Sequence, residues 1–527
     1  MKIVNRSINK LGIMLSILSL MLGCTSDYED INTNKNAVAT VGKSELPYLF
    51  SKAQSQATLP FWFYQVGQNL FADQYAQYFA CNATYFPSDR LVMRHDWVRW
   101  AFNPVYTSVV PQLQTLFASS DQNSTEYALA SIWWVYTFHR VTDYWGPVPY
   151  FSAGVTGKSV PYDAQDKIYD DFFKRLSAAL TILKAKAAET PFGKSDLLYS
   201  GDLNKWMKFA NTLRLRLALR ISKVDPARAK TEAEAAFTGG VFTTSPADDA
   251  LMQRSTKGND VNGLSIMSPW NEFRMSASME SVLKGYEDPR LGEYFLPAAK
   301  TGTYEGLRNG LTVAQLTDAS AVNKAEALSH VGKRWSHAEI GGNGSHLSTP
   351  QIVMCTAEAY FLRAEGALNG WNMGGTAKEL YEKGITASMN QWGIADAAAI
   401  SAYVNSNKTP IPPNDFLSSP AMTSIPVLFH PSDVNIQREQ IATQKWLALF
   451  PDGIEAWADF RRSRALKLYP VANSDNSDIT NTNTQIVRRI TFLPDEYNNN
   501  GEGVKAAIPL LGTGGDKVTT PLWWDKN

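Results

Sequence analysis

Two features of this sequence have residue types that could do covalent or metal chemistry: the adjacent carboxylates Asp248-Asp249, and the histidines His330, His337 and His346. Cleavage of a glycosidic bond needs two carboxylates on opposite sides of it, and Asp248-Asp249 is the pair one would nominate. Adjacent acids in a loop are ordinarily solvated. The histidine spacings of seven and nine match no metal-ligand pattern and read as a surface loop. The sequence has no Gly-x-Ser-x-Gly, His-Glu-x-x-His, phosphate-loop or EF-hand signature. Gly512-Thr513-Gly514-Gly515-Asp516-Lys517 has the wrong spacing for a phosphate loop and reads as a turn. No cofactor is called for. Loop carboxylates and carbonyls are compatible with bound calcium without indicating it.

The positive signal is aromatic. A sugar ring offers apolar C–H faces and a rim of hydroxyls, so its site wants a flat ring beside amide, carboxylate or guanidinium partners. Trp270-Asn271-Glu272-Phe273-Arg274 and Asn82-Ala83-Thr84-Tyr85-Phe86 supply both on expected loops. The candidate ligand residues are Tyr85, Phe86, Trp270, Asn271 and Arg274, with Tyr304 and Trp335 from the same loop-rich stretch. Core packing is the competing reading for each ring, and the same equipment would hold an extended peptide.

Composition bounds the rest. A chain of 527 residues, 44% hydrophobic and 19% charged, can bury a large core. Its 50 basic residues balance 50 acidic ones, which leaves no surplus charge for a nucleic acid. At the start, Lys2, Arg6 and Lys10 precede an apolar run over residues 11–22 and then Gly23-Cys24. That run is too short to span a bilayer and fits a signal peptide, while the small residue before Cys24 resembles a lipobox with Met21 where Leu is usual. Cys24 is thus the expected lipidation site. The acidic start Thr25-Ser26-Asp27-Tyr28-Glu29-Asp30 resembles the surface-export signal of lipoproteins in one Gram-negative phylum. Cys81 and Cys355 then make either one bridge or two buried thiols, and their apolar settings favour the thiols.

The elements that must position the rings are helical. Asn123 with Glu126 predicts a capped helix start, and Asp163 opens a helix whose Ile168, Phe172, Leu176, Leu180 and Leu183 share one face. Residues 202–222 repeat the pattern, with Arg214, Arg216 and Arg220 off the stripe, and Asp225-Pro226 begins an Ala-rich helix. Periodicity fades over 239–349, apart from 276–283. Helices return at 352–368, 377–392 and 435–450, and Ala357, Ala364 and Ala367 allow the close packing of a degenerate tetratricopeptide-like pair. The expected organisation is a signal peptide (1–23), a lipid-anchored linker (24–43), an N-terminal helical part (44–238), an irregular ligand-binding region (239–349) and a C-terminal helical part with loops (350–527). The two helical parts are expected to pack as one unit.

Several ordered segments together resemble the SusD/RagB family of outer-membrane nutrient-binding lipoproteins. They are Asp30-Ile31-Asn32-Thr33-Asn34 after Cys24, Tyr144-Trp145-Gly146-Pro147-Val148-Pro149-Tyr150, the helix over 206–221, Asp288-Pro289-Arg290-Leu291, Glu358-Ala359-Tyr360-Phe361-Leu362-Arg363-Ala364-Glu365 and Leu380-Tyr381-Glu382-Lys383-Gly384-Ile385. Towards the end, Gln444-Lys445-Trp446-Leu447-Ala448-Leu449-Phe450, the stretch 453–462 and Arg489-Ile490-Thr491-Phe492-Leu493-Pro494 continue it. Within 453–462, Glu455, Trp457, Arg461 and Arg462 read as packing residues joined by buried ion pairs. The resemblance implies a mainly α, SusD-like scaffold of four tetratricopeptide-like helix pairs, with a long irregular insertion forming the ligand surface. It also implies a non-catalytic, surface-exposed lipoprotein that binds an oligomeric nutrient, foremost an oligosaccharide, for a TonB-dependent SusC-like transporter. An oligopeptide ligand keeps that architecture; a surface glycoside hydrolase and a structural adhesin are the readings from other classes. Cys24→Ala is expected to release the protein from membranes, measured by fractionation; continued N-terminal attachment would refute lipidation there.

Overall fold

Side-chain caps and apolar stripes lay out the helices. The computed structural model describes residues 42–526 apart from 156, 158, 320 and 337–343, so the expected signal peptide, Cys24 and His337 lie outside the described residues. From Pro47 onward the chain is one contact unit. Helix α1 (Leu46–Ala57) is followed by a π-helix, Gln65–Asp73, and by α2 (His95–Pro104) and α3 (Val110–Ser119). Next come two helix pairs, α4 (Thr125–Trp145) with α5 (Gln165–Ala185) and α6 (Leu203–Arg220) with α7 (Pro226–Gly239). After α8 (Ala277–Gly285), α9 (Thr356–Leu368) pairs with α10 (Ala377–Gln391); α11 (Ala397–Val404) precedes the last pair, α12 (Val434–Leu449) with α13 (Gly453–Ser463). The fold is therefore mainly α, built on four helix pairs, as the resemblance implied.

Local chemistry explains most of the boundaries. Asp202 accepts from the Asn204 and Lys205 amides at the start of α6, and Asp225 caps α7 with Pro226 in its first turn. Three expected starts differ. The cap of α4 is Ser124, which accepts from the Tyr127 amide, rather than Asn123. Asp163 stays outside α5, because its carboxylate accepts from the Tyr150 and Phe151 amides and closes the preceding loop. Residues 351–354 are a strand rather than the first turn of α9.

The strands are short and join distant segments. β1 (Phe79–Cys81) pairs antiparallel with β3 (Phe273–Met275), placing Cys81 opposite Phe273 and Phe79 opposite Met275. β2 (Ala250–Met252) pairs antiparallel with β4 (Gln351–Met354). Both sheets thus stitch parts of the irregular region to the helical frame. Cys81 and Cys355 are free and buried, and burial pushes both thiols up. Among the described residues, no helix is long and apolar enough to cross a membrane.

The helix pairs are tied together by buried charge. On α5, Ile168, Phe172, Leu176 and Leu183 are fully buried, while Leu180 of the expected stripe is half-buried. Helix α6 differs from expectation because it is enclosed on nearly every side, so Arg216 and Arg220 point inward, each 1% exposed. Arg216 donates from Nε and Nη2 to both Glu358 oxygens on α9 at 2.6 Å, and it faces the His139 ring on α4. Arg220 bridges Glu455 on α13 at 2.6 Å and Asp143 on α4 at 3.2 Å. Asp143 also accepts from the Tyr169 hydroxyl and the Trp524 indole N–H. Beside this, Arg462 grips Glu365 with two 2.6 Å bonds, and Lys445 reaches Asp459 at 2.8 Å.

Arg461 corrects the expectation of an ion pair. Its guanidinium lies 3.5 Å from the Trp457 ring centroid and donates to the Asp143 and Arg488 carbonyls, so it is held by a ring and main-chain oxygens. The motif Asp288-Pro289-Arg290 closes its own ion pair at 2.6 Å, and Arg290 also donates to Ser388 on α10, Tyr403 on α11 and Gln444 on α12. Arg216→Met would leave Glu358 buried without its cation. It is expected to cost about 3–5 kcal/mol in urea unfolding; an unchanged midpoint would show the pair to be dispensable.

Candidate functional site

β1 and β3 bring the two aromatic segments together. Beyond the last strand pair, the Asn82 amide N–H donates to the Glu272 carbonyl, and the Asn82 side chain donates to the Asn271 carbonyl at 2.8 Å. The Glu272 carboxylate then acts as a staple. One oxygen accepts from the Tyr85 hydroxyl and the other from the Gln65 side chain, both at 2.5 Å. The hydrogen bond to Glu272 holds the Tyr85 phenol up at about 12. Tyr85 remains 64% exposed, so this bond fixes a ring that packing does not.

The rings form two groups, which reach beyond the residues the sequence indicated and are carried on α2 by Trp97 and Trp100. Tyr85 contacts Phe86 with centroids 4.6 Å apart, and Phe86 meets Trp97 of α2 edge-on at 5.2 Å. One helical turn on, three residues after Trp97 and on the same side of α2, Trp100 stacks on Phe63 at 5.2 Å and touches Trp62 at 4.9 Å. Trp62, Phe63, Trp97 and Trp100 are half-buried. Trp270 stands 40% exposed beside the Glu272 staple. The Arg94 guanidinium covers Trp97 at 3.9 Å while paired with Asp96, and Arg99 pairs with Asp495. The result is a face of flat rings whose neighbouring charges are already engaged.

Close backbone approaches hold this face. A Cβ on Gly67 would come within 3.2–3.3 Å of Ala101, so the bare glycine lets the π-helix lie against α2 and brings Trp100 alongside Phe63. A Cβ on Gly263 would fall 2.1 Å from the Tyr64 Cβ, which ties residues 61–64 to the 261–263 turn. Beneath the rings, Asp73 at the end of the π-helix is fully buried and accepts from the Tyr64 hydroxyl, the Gln68 side chain and, at 3.3 Å, the Asn69 side chain. Burial outweighs these donors and raises its carboxyl to about 7.

The residues nominated from sequence therefore fall into distinct places. Tyr85 and Phe86 belong to the aromatic face, Trp270 stands exposed two residues before Glu272, and Asn271, with φ 61°, turns the chain between them. Arg274 is buried and held on each nitrogen: it donates to the Ala325 and Phe273 carbonyls and the Asn271 side chain, and burial lowers it to about 10. With Asn271, His330 and Glu326 it lines an open depression of about 870 Å³. Tyr304 is half-buried with its hydroxyl beside Gly292. Trp335 is 3% exposed against Trp392 and Phe450, which makes it a core ring rather than a surface platform.

Asp248 and Asp249 also find structural employment. Asp248 accepts from the Thr243 and Thr244 amides and from Lys208, while Asp249 accepts from the Thr356 amide at the start of α9. Neither is solvated as a loop pair would be, and neither faces the rings across a gap. His330 is held neutral, lowered to about 4 by burial, with its Nε2 at 2.8 Å from the Ser268 carbonyl. Among the described residues, no group of three His, Cys, Asp or Glu side chains is placed to hold a metal. Sequence reasoning missed Trp62, Phe63, Gln65, Trp97, Trp100 and the staple role of Glu272. The three-residue spacing of Trp97 and Trp100 was the available signal.

A family model described as SusD-like, SusD and RagB outer membrane lipoprotein, matches residues 27–525. A chitin-binding SusD homologue from Flavobacterium johnsoniae is 34% identical with a TM-score of 0.82, covering 92% of this chain and 99% of that one. A SusD-like protein from Bacteroides thetaiotaomicron is 31% identical with a TM-score of 0.80 over 92% and 99% of the two chains. A chitin-binding protein is 28% identical with a TM-score of 0.74 over 92% and 100%. Among curated proteins none matches.

The Asp73 carboxyl carries a pH test. An unfolded aspartate loses its proton near 3.9, whereas the folded one keeps it to about 7. The folded state thus binds more protons in between, and this group's contribution to stability declines as pH rises from about 4 to about 7. Asp73→Asn is expected to remove that decline, read as the difference between the two proteins' pH profiles of unfolding free energy. Parallel profiles would refute it.

Proposed function

The chain belongs to the SusD-like family of SusD and RagB outer membrane lipoproteins, and on that premise we propose that it is a non-catalytic oligosaccharide-binding protein anchored through Cys24. Its ligand surface is the aromatic face of Tyr85, Trp62, Phe63, Trp100 and Trp270, with the depression beside Asn271 extending it. The observation that carries this reading is the arrangement of those rings: Trp62, Phe63 and Trp100 touch one another by edge and by face, and Glu272 pins the exposed Tyr85, with the charged neighbours already paired. Such a surface suits successive sugar rings, which stack by their C–H faces and bring little charge. The chitin-binding relatives favour oligomers of N-acetylglucosamine as the ligand class.

The same reading makes the protein a surface-exposed partner of a TonB-dependent, SusC-like transporter, to which the bound oligomer passes. The carboxylates beside the rings are engaged: Glu272 by Tyr85 and Gln65, Asp96 by Arg94, and Asp495 by Arg99. Titration calorimetry with chitooligosaccharides tests the proposal. Trp100→Ala and Trp270→Ala are each expected to weaken binding by about tenfold, equivalent to about 1.4 kcal/mol, with the melting temperature unchanged. Unaltered affinity in both variants would remove the face from the site. Binding of oligopeptides in place of sugars would keep the surface and overturn the ligand class.

A further inference from the structure

A second cavity, of about 420 Å³, lies among the helix pairs, and its lining contains none of the aromatic-face residues. It opens between the α6–α7 turn, the ends of α9 and α13, and the middle of α12. Its wall carries three cations, Lys223, Arg438 and Arg462, against one carboxylate, Glu365. Glu365 is consumed: both of its oxygens accept from Arg462 at 2.6 Å, and Lys445 stands 3.6 Å away. Among the described residues, Arg438 donates only to the neutral Asn369 side chain at 2.7 Å, and Lys223 only to the Lys526 carbonyl at 3.1 Å. Among the described residues, neither has a carboxylate within ion-pair distance. The half-buried Trp371, set just after α9 by a bond from its amide to the Gly366 carbonyl, adds a flat ring to the same lining.

Two cations without an anionic partner, a neutral amide and an indole ring around a space of this size match a small anionic ring. A guanidinium recognises a carboxylate by paired hydrogen bonds, and an indole takes the C–H face of a sugar. We infer that this cavity is a separate ligand site for a uronic acid, its carboxylate between Arg438 and Lys223 and its ring on Trp371. Arg462 and Glu365 hold the floor and do not bind.

The site is independent of the aromatic face, so its test is too. Calorimetric titration of the full chain would compare D-glucuronate, D-glucose and acetate. Glucuronate alone is expected to saturate a site, and Arg438→Gln to weaken it by about tenfold with an unchanged melting temperature. Lys223→Gln, at the exposed rim, is expected to weaken it several-fold and serves if the arginine variant does not fold. Trp100→Ala is expected to leave glucuronate binding intact. Three results overturn the assignment: no saturation by glucuronate, equal binding of glucose or acetate, or full affinity in the variant that folds.

Discussion

The contact on which the rest of this structure depends is the buried chain of charges from Glu358 through Arg216 and Glu455 to Arg220 and Asp143. These five side chains come from α9, α6, α13 and α4, so one ion-paired array links four helices. Taking such ions out of water is costly, and apolar replacements of like volume often match them in stability. What an apolar interface lacks is direction. The planar Arg216 fork meets both Glu358 oxygens at 2.6 Å, a geometry that favours one approach of α6 to α9 over neighbouring ones. The second array, around Arg462, Glu365, Asp459 and Lys445, repeats the device between α9, α12 and α13.

A frame fixed in this way can carry a surface made of irregular chain. The aromatic face uses little regular structure: two three-residue strands, a π-helix and one turn of α2. Its order comes from single contacts at chosen points, namely Glu272 between Tyr85 and Gln65, Asn82 on the Asn271 carbonyl, and the bare backbone of Gly67 and Gly263. Each contact restrains a segment that otherwise loses much entropy on ordering. The rings therefore need no enclosure to stay in place, and they remain accessible.

Much of the frame was legible from residue patterns. The stripe on α5, the caps at Asp202 and Asp225, and the order of family-like segments all act locally, within one helix or one turn. Two of the aromatic segments were legible as well, since Tyr85, Phe86 and Trp270 sit among polar residues on expected loops. What escaped notice depends on contacts distant in sequence. Glu272 gained its role from Tyr85 and Gln65, 187 and 207 residues away. Arg216 and Arg220 looked like the polar side of an amphipathic helix because nothing in α6 announces Glu358, Glu455 or Asp143. Trp335 and Arg274 have the side chains of ligand residues, but Trp392, Phe450 and nearby carbonyls had already claimed them.

The engaged charges around the ring face also set a timescale. Glu272 is spent on Tyr85 and Gln65, Arg94 on Asp96 and Arg99 on Asp495, so an approaching neutral chain gains no long-range pull. In the proposed function, its arrival is limited by diffusion and orientation. Departure differs, because each further ring covered adds another contact that must be broken. In the proposed function, such a surface reads the length of its ligand in the residence time: short fragments leave quickly, and longer ones dwell.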